Sequence, residues 1–382
     1  MSQQQQIEIA LSAADNALLL NSEAEVARAA KAWSRSPILG LDTEFVRERT
    51  YTANLGLVQI SDGHTVWLLD PLKAESLDPL KQLLLNSAVS KIFHSPSEDL
   101  DVLMSAIGVV PEPLIDTQVA CALLGNALQV GYHTAVETAF GVKLDKEQTR
   151  SNWCARPLRK AQLHYAALDV CLLPLLWQQL RQQLVSKERL RWHEEECQRQ
   201  LDRARSPTPH SELWRRIRGA GKLDGQSLAV LQALAEWREA RARQFNRPRG
   251  FIVPDPALIA ISDQKLKTRQ DLRDIEGLHP RAVDRHGTAI CDIVLNTLDS
   301  GKRLATVPKL NAEDRKTLKA MRAKVLERAE KLGLDPAALA PKRDLEDMLI
   351  GREQGYIPDR LLGWREDEIT DRLKQLVGRN QK

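Results

Sequence analysis

The first half of the chain alternates short apolar runs with amphipathic segments of helical spacing. Three strand-like runs, at residues 38–44, 55–61 and 65–69, are separated by turn residues such as Asp62-Gly63, which predicts an antiparallel meander. Further predicted elements are helices at 22–33, 77–85 and 97–107, short strands at 91–94 and 114–116, and a long helix at 158–184 with a kink near Pro174. Strands interleaved with helices in this way predict a mixed α/β domain, with a mixed sheet flanked by helices.

From residue 212 onward the strand signal nearly vanishes and helical spacing dominates. Polar stretches at 201–211 and 299–308, each containing proline, have the composition of linkers. We therefore predict three domains: the α/β domain over residues 1–205, a small all-α domain over 211–297 and a second all-α domain over 305–382.

Composition narrows the class of protein without identifying it. A chain of 382 residues is too long for one ordinary domain, and its net charge of +4 is compatible with a nucleic-acid partner but does not require one. The five cysteines include no C-x-x-C pair, which argues against a zinc site or a disulfide framework. Because no signal peptide or membrane-spanning run is present, we expect a cytoplasmic protein.

Two acids stand at the end of the first predicted strand of the meander. Asp42 and Glu44 follow an apolar run at alternate positions, so both side chains point to the same face of the strand. Two like charges held this close repel each other unless a cation lies between them. Taken alone, a D-x-E sequence is also compatible with an ordinary solvated strand end.

Three further residues complete a candidate site. Asp99 lies in the first turn of a predicted helix, and Tyr165 and Asp169 are four residues apart on one face of an otherwise apolar helix. An isolated buried charge is costly, and a metal cluster would satisfy all four acids at once. Carboxylates without a Cys or His cage suit Mg²⁺ or Mn²⁺, and two such ions roughly 3.5–4 Å apart stabilise both the attacking and the leaving oxygen in phosphodiester cleavage.

These residues resemble a known family. Asp42-x-Glu44, Asp99 and Tyr165-x-x-x-Asp169 are similar, in order and context, to the three motifs of the DEDD 3′→5′ exonucleases of the tyrosine subclass. The strings around them resemble the ribonuclease D family in particular: residues 41–47, 97–100, 113–118 and 165–170, and the segment from Leu144 to Pro157. Residues 213–296 resemble an HRDC domain, and the last helical unit resembles the second, more divergent HRDC domain of that family.

The resemblance implies a ribonuclease H-like fold and a role for each residue of the site. Asp42 would bridge two divalent cations, Glu44 and Asp169 would hold one of them, and Asp99 would bind the other. Tyr165 would position the nucleophilic water. Substrate contacts are expected from seven residues: Thr43, Phe45, Gln59, His94, Lys146, Arg150 and Arg156.

Several of these assignments have alternatives. His164 also fits the H-x-x-x-x-D spacing of the histidine subclass, but five residues turn it about 140° away from Asp169 on a helix, so we assign the role to Tyr165 and interpret His164 as a surface residue.

His94 could be a core histidine, and Gln59 could reach a nucleotide or solvent. The basic run from Arg238 to Arg249 fits either a solvated face or an RNA-binding surface. Trp153 fits either the core or a stacking platform, and Asp116 fits a helix cap better than a ligand.

The leading hypothesis is a metal-dependent exoribonuclease that releases 5′-mononucleotides from RNA 3′ ends. The resemblance implies tRNA precursors with 3′ extensions as substrates, and we expect a monomer. A DNA exonuclease of the same fold and a non-catalytic RNA-binding adaptor are the alternatives. No P-loop sequence is present, which argues against a helicase or another nucleotide-hydrolysing motor.

Overall fold

A computed structural model describes residues 1–145, 151–206, 208–306, 308 and 310–378. Contacts divide the chain into two compact units. Unit 1 consists of the described residues of Met1–Val46, Asn54–Arg205 and Leu310–Lys382, and unit 2 of those of Arg47–Ala53 and Ser206–Lys309. No helix in the described part of the chain is both long and apolar enough to cross a membrane.

Unit 1 is built on a β-sheet that is flanked by helices. In chain order, its α/β region contains α1 (Gln3–Asp15), β1 (Leu18–Leu20), α2 (Glu23–Trp33), β2 (Ile38–Val46), β3 (Asn54–Ser61), β4 (Val66–Leu69), α3 (Asp78–Leu85), β5 (Ser90–Phe93), α4 (Ser97–Ile107), β6 (Leu114–Asp116), α5 (Thr117–Leu123), α6 (Tyr132–Phe140), α7 (Lys160–Cys171), α8 (Leu173–Ser186) and α9 (Leu190–Arg205). The predicted meander is confirmed, because β2 pairs antiparallel with β3, and β3 with β4. Strand β1 pairs in parallel with β4, β5 with β2, and β6 with β5, which gives the strand order β1-β4-β3-β2-β5-β6. The sheet is therefore mixed, as predicted.

The long helix predicted over residues 158–184 is two helices. Helix α7 ends at Cys171 and α8 begins at Leu173, with Pro174 in its first turn. Pro174 has no N–H to continue the hydrogen-bond ladder of α7, and its ring crowds the carbonyl four residues earlier, so the helix is interrupted there.

A glycine on the central strand lets this break approach the sheet. A Cβ built on Gly40 would lie 2.8 Å from the Cβ of Leu173 and 3.0 Å from the carbonyl oxygen of Val170. Any larger residue would push the α7–α8 junction away from β2. Gly40 precedes Asp42 by two residues and faces the same side of the sheet, so this contact brings α7 over the acids.

The helices after residue 310 belong to unit 1. They are α15 (Ala312–Leu332), α16 (Pro336–Leu339), α17 (Lys342–Ile350) and α18 (Asp371–Gly378), and the helices numbered between α9 and α15 belong to unit 2 and are given in the next paragraph. The ring of Trp364 stacks on Trp192 of α9 with centroids 4.3 Å apart, and Arg365 forms a buried ion pair with Glu196. These contacts join the C-terminal helices to the α/β region through one hydrophobic core. The three-domain division of the sequence stays a prediction.

Unit 2 is helical, with its own core under α10 (Gly225–Gln244), α11 (Arg249–Ile252), α12 (Asp255–Gln264), α13 (Arg269–Arg273) and α14 (Pro280–Asp299). Three arginines of the basic run at 238–249 bind groups of this unit itself. Arg238 is buried and donates to Asp255 (2.6 Å) and to the Val253 carbonyl (2.9 Å). Arg243 and Arg249 both pair with the buried Glu239.

Candidate active site

The carboxylates of β2 and α7 converge at one place in unit 1. One carboxylate oxygen each from Asp42, Glu44 and Asp169 lies within 4.8 Å of the others. The strand period puts the first two on one face, and the close approach at Gly40 brings the α7 residue to them. These three carboxylates are called the acid cluster below.

Asp99 stands beside the acid cluster, held by Thr43. The backbone N–H of Thr43 donates to Asp99 Oδ1 (3.2 Å), and the Thr43 hydroxyl donates to the same oxygen. Because Thr43 stands between Asp42 and Glu44 on β2, these bonds hold Asp99 next to the acid cluster, and its charge is among the causes that raise the pKa of Asp42. The structure therefore brings together all four acids that the sequence analysis singled out.

Burial and mutual repulsion act on the acid cluster in the same direction. Burial, followed by the charges of Asp169 and Asp99, raises the pKa of Glu44 to about 9. Burial and the neighbouring carboxylates also hold the pKa of Asp42 well above its usual range. The pKa of Asp99 rises to about 6, mainly through burial.

The donor set fits a divalent cation. Hard ions such as Mg²⁺ and Mn²⁺ prefer carboxylate oxygens, and the ligand atoms of the acid cluster are all carboxylate oxygens. A cation would replace the repulsion that now raises these pKa values with attraction. The acid cluster therefore has the donor set of a divalent-cation site.

Tyr165 and His164 point to different surroundings. Tyr165 lines a cavity of about 480 Å³ together with Asp42 and Asp169, and its hydroxyl is among the groups that lower the pKa of Asp169 against the larger effect of burial. The His164 side chain is 43% exposed, and its Nδ1 lies 3.5 Å from Asp15 Oδ1. The catalytic role of Tyr165 stays a prediction, with a geometry suited to it.

Sequence reasoning missed His133. Its Nε2 lies 3.0 Å from Asp169 Oδ1, its side chain is 13% exposed, and it lines the same cavity. It stands in the first turn of α6 with no motif around it, so only the packing of α6 near α7 reveals it. This contact lowers the pKa of Asp169 against the dominant effect of burial, which raises it.

The residues predicted to contact the substrate differ in burial and in their hydrogen bonds. Both ring nitrogens of His94 are in use, Nδ1 with Thr117 Oγ1 (2.8 Å) and Nε2 with the Val130 carbonyl (2.7 Å), although the residue also lines the cavity. Phe45 is half-buried on β2, just after a bulge. Gln59 is fully buried, so it does not reach solvent. Lys146 and Arg150 lie outside the described residues.

Arg156 has its full set of donors in use within the protein. Its Nε and Nη2 bind the two oxygens of Asp70 at 2.6 and 2.7 Å. The remaining N–H groups reach the carbonyls of Gly56 (2.6 Å), Trp153 (2.8 Å) and Ala155 (2.8 Å). A guanidinium has five N–H donors, so this arrangement leaves none for a phosphate. Arg156 instead connects β3, the residue after β4 and the segment before α7.

Two neighbouring alternatives also have structural surroundings. Asp116 caps α5 by accepting from the Gln118 N–H (2.8 Å), and it accepts from the Ser95 N–H (2.9 Å) as well. Trp153 is 2% exposed, with its ring 6.2 Å from that of Tyr165. The Trp153 ring therefore packs in the core beside Tyr165 and is not exposed for stacking on a base.

Comparison with known proteins identifies the kinds of domain in this chain. A family model described as 3′-5′ exonuclease matches residues 19–185, and one described as HRDC domain matches residues 227–294. The fold and these matches define the class as a 3′→5′ exonuclease, and this class together with the acid cluster indicates that the protein uses divalent metal ions.

The relatives make the family specific. Ribonuclease D of Pseudomonas paraeruginosa is 35% identical over 363 residues, which cover 93% of this chain and 96% of that protein. Ribonuclease D of Escherichia coli K12 is 32% identical over 373 residues, covering 95% and 98%. The crystal structure of Escherichia coli RNase D superposes with a TM-score of 0.89 at 29% identity, over 96% of this chain and 100% of that one. The chain belongs to the ribonuclease D family, and it is an exoribonuclease with an HRDC domain.

Proposed function

We propose that this protein removes 5′-mononucleotides one at a time from the 3′ ends of structured RNAs, tRNA precursors with 3′ extensions among them, with two divalent cations in its site. The proposal rests mainly on the carboxylate oxygens of Asp42, Glu44 and Asp169, one from each residue, which lie within 4.8 Å of one another. Asp99 lies next to them, bonded to Thr43. The structure of the Escherichia coli relative is described as that of an exoribonuclease involved in structured RNA processing, which supports the choice of substrate.

Asp42, Glu44, Asp99 and Asp169 would hold the ions through their carboxylate oxygens. When bound, the ions would supply activation of water and stabilisation of the charge that develops on the phosphate. The protein's own contribution is rigid placement. Thr43 fixes Asp99, and His133 fixes Asp169.

Tyr165 would orient the attacking water. Burial, followed by the charges of Asp169 and Glu44, raises the pKa of its hydroxyl above the ordinary value near 10. The hydroxyl therefore keeps its proton at any working pH and acts by hydrogen bonding, not as a base. The proposal for Tyr165 is supported by the cavity that it lines together with Asp42 and Asp169.

A nuclease assay tests the proposal. A 3′-extended tRNA is incubated with the protein and Mg²⁺, with and without EDTA, and the products are resolved as nucleotides. Mononucleotides are expected from the wild type and from Asp101→Ala, since Asp101 is an exposed acid on the same helix as Asp99. They are expected to be absent for Asp42→Ala and in EDTA.

The same assay separates the alternatives. Release of mononucleotides by Asp42→Ala, or in EDTA, would refute the proposed site. A wild type that binds the tRNA without shortening it would favour an RNA-binding adaptor. Matched RNA and DNA oligomers test the sugar preference, and faster cleavage of DNA would favour a DNA exonuclease. Sedimentation of the purified protein tests the expected monomer.

A further inference from the structure

Gln59 is a buried amide without a hydrogen-bond partner. It lies in the middle of β3, and its side chain is fully excluded from solvent. Neither Nε2 nor Oε1 makes a hydrogen bond to any residue that the structure describes. An amide that loses its hydrogen bonds to water without gaining others costs free energy, and an apolar side chain of the same size avoids this cost. Stability alone therefore does not account for a glutamine at this position.

The sheet register puts Gln59 directly opposite Asp42. The two residues are paired across the antiparallel β2–β3 ladder. Directly opposed residues project from the same face of a sheet, with Cβ atoms typically about 4.5–5.5 Å apart. This face is the one that α7 covers, because Gly40, two residues before Asp42, meets the α7–α8 junction. The amide therefore lies beside the acid cluster, under the helix that carries Asp169.

Asp42 differs from its neighbours in how its carboxylate is held. Asp99 accepts from the Thr43 hydroxyl, and Asp169 lies within hydrogen-bonding distance of His133. Within the described ranges, no side-chain donor is bonded to Asp42. The residue opposite Glu44 is the apolar Leu57, so Gln59 is the polar cross-strand neighbour available to the acids of β2.

We propose that Gln59 is a positioning residue for Asp42, whose carboxylate accepts a hydrogen bond from the Gln59 amide when divalent cations occupy the site. The inference rests on the proposed function, since it takes Asp42 as a metal ligand. A partner behind a ligand carboxylate fixes its orientation, and loss of such a partner commonly lowers metal affinity. The amide then has a use that offsets its burial.

The test replaces the amide while keeping its volume. Gln59→Leu and Gln59→Met remove the donor, and Leu68→Met changes the residue opposite Gln59 on β4 without touching a polar group. For each full-length protein, Mn²⁺ affinity is measured by calorimetry, stability by denaturant unfolding without metal, and kcat and KM on an RNA oligomer at several Mn²⁺ concentrations.

We expect both Gln59 variants to bind Mn²⁺ about 10–100-fold more weakly, with metal-free stability equal to or above that of the wild type. Their kcat at low Mn²⁺ should fall and recover as Mn²⁺ rises, with KM for RNA unchanged. Leu68→Met should bind Mn²⁺ as the wild type does. Gln59 variants that keep wild-type Mn²⁺ affinity would overturn the proposal, and so would an equal loss in Leu68→Met.

Gln59→Met serves if Gln59→Leu does not fold, because an unbranched side chain follows the path of glutamine most closely. The proposed function fails separately from this inference. If Asp42→Ala binds Mn²⁺ as tightly as the wild type, Asp42 is not a ligand, and the role of Gln59 falls with it. If Asp42→Ala loses Mn²⁺ binding while the Gln59 variants keep it, only the positioning role is refuted.

Discussion

Two buried groups of charge in this protein have opposite electrostatics. In the acid cluster of unit 1, burial and neighbouring carboxylates raise the pKa of Glu44 to about 9. In unit 2, burial opposes ionisation of Glu239, but hydrogen bonds from Arg249, Tyr51 and Arg243 lower its pKa to about 2. We call Glu239 with these three partners the Glu239 cluster. The guanidinium groups of both arginines also lie within 5.3 Å of the Tyr51 ring centroid.

The comparison separates a structural charge from a ligand site. Each charge of the Glu239 cluster has a partner of opposite sign, so the cluster is complete as the chain folds. The acid cluster holds charges of one sign, which folding brings together at a cost. Such an arrangement is explained by a cation that binds there and relieves the repulsion. The number of charges does not distinguish the two sites, but their sign balance does.

The largest expected difference comes from the tyrosine of each cluster. Tyr165→Phe removes the hydroxyl beside Asp169, and we expect kcat on an RNA oligomer to fall by about 100-fold or more. Tyr51→Phe removes the hydroxyl that donates to Glu239; it should leave kcat unchanged and lower the free energy of unfolding of unit 2 by about 1–2 kcal/mol.

His164→Ala is the matched control for Tyr165, because His164 is the adjacent residue but points toward Asp15. Its kcat should stay near that of the wild type. A severe loss of activity in His164→Ala with little loss in Tyr165→Phe would reverse the assignment. A loss of activity in Tyr51→Phe equal to that in Tyr165→Phe would break the comparison.

Neutralising one glutamate in each cluster should change stability in opposite directions. Glu239→Gln leaves two arginines without their anion, so the free energy of unfolding should fall by about 2 kcal/mol. Glu44→Gln removes a charge from a repelling cluster, so the metal-free protein should become more stable at pH 9. Denaturant unfolding in EDTA measures both, and destabilisation by Glu44→Gln at that pH would contradict the account.

The pH dependence follows from the sign of the shift. Folding raises the pKa of Glu44 from 4.5 to about 9, so the folded state binds the proton more tightly than the unfolded state. The metal-free protein should therefore lose stability as pH rises from about 5 to about 9, and part of this slope should vanish in Glu44→Gln. An identical slope in both proteins would show that Glu44 does not carry the shifted proton.

Two pairs of residues in the candidate site follow a local rule that the sequence shows, and the resemblance to a known family joined Asp99 to them. The strand period aligns Asp42 with Glu44, and the helical period aligns Tyr165 with Asp169. The meander was predictable for the same reason, since apolar runs and turn residues alternate along β2, β3 and β4. Local periodicity therefore predicted which residues share a face within β2 and within α7, and the grouping of the three elements was implied by the resemblance.

What the sequence did not predict depends on partners far along the chain. The basic run at 238–249 does not show which arginines face Glu239, and nothing around Arg156 predicts that Asp70 will bind it twice. Gln59 becomes informative only through its register with Asp42. Helix α1 was also missed, because its glutamine-rich start hides the spacing of the residues buried against α7, Ile7, Ala10 and Ala14.

The central claim is that the acid cluster binds a divalent cation. Its most direct test is the melting temperature at pH 8 of protein stripped of metal, measured before and after Mn²⁺ is added. If the acid cluster is a cation site, Mn²⁺ at 100 times its dissociation constant should stabilise the wild type by about 2.7 kcal/mol, seen as a rise of several degrees, and Asp42→Ala should show a much smaller rise. A wild-type melting temperature that does not respond to Mn²⁺ or Mg²⁺ would contradict the claim.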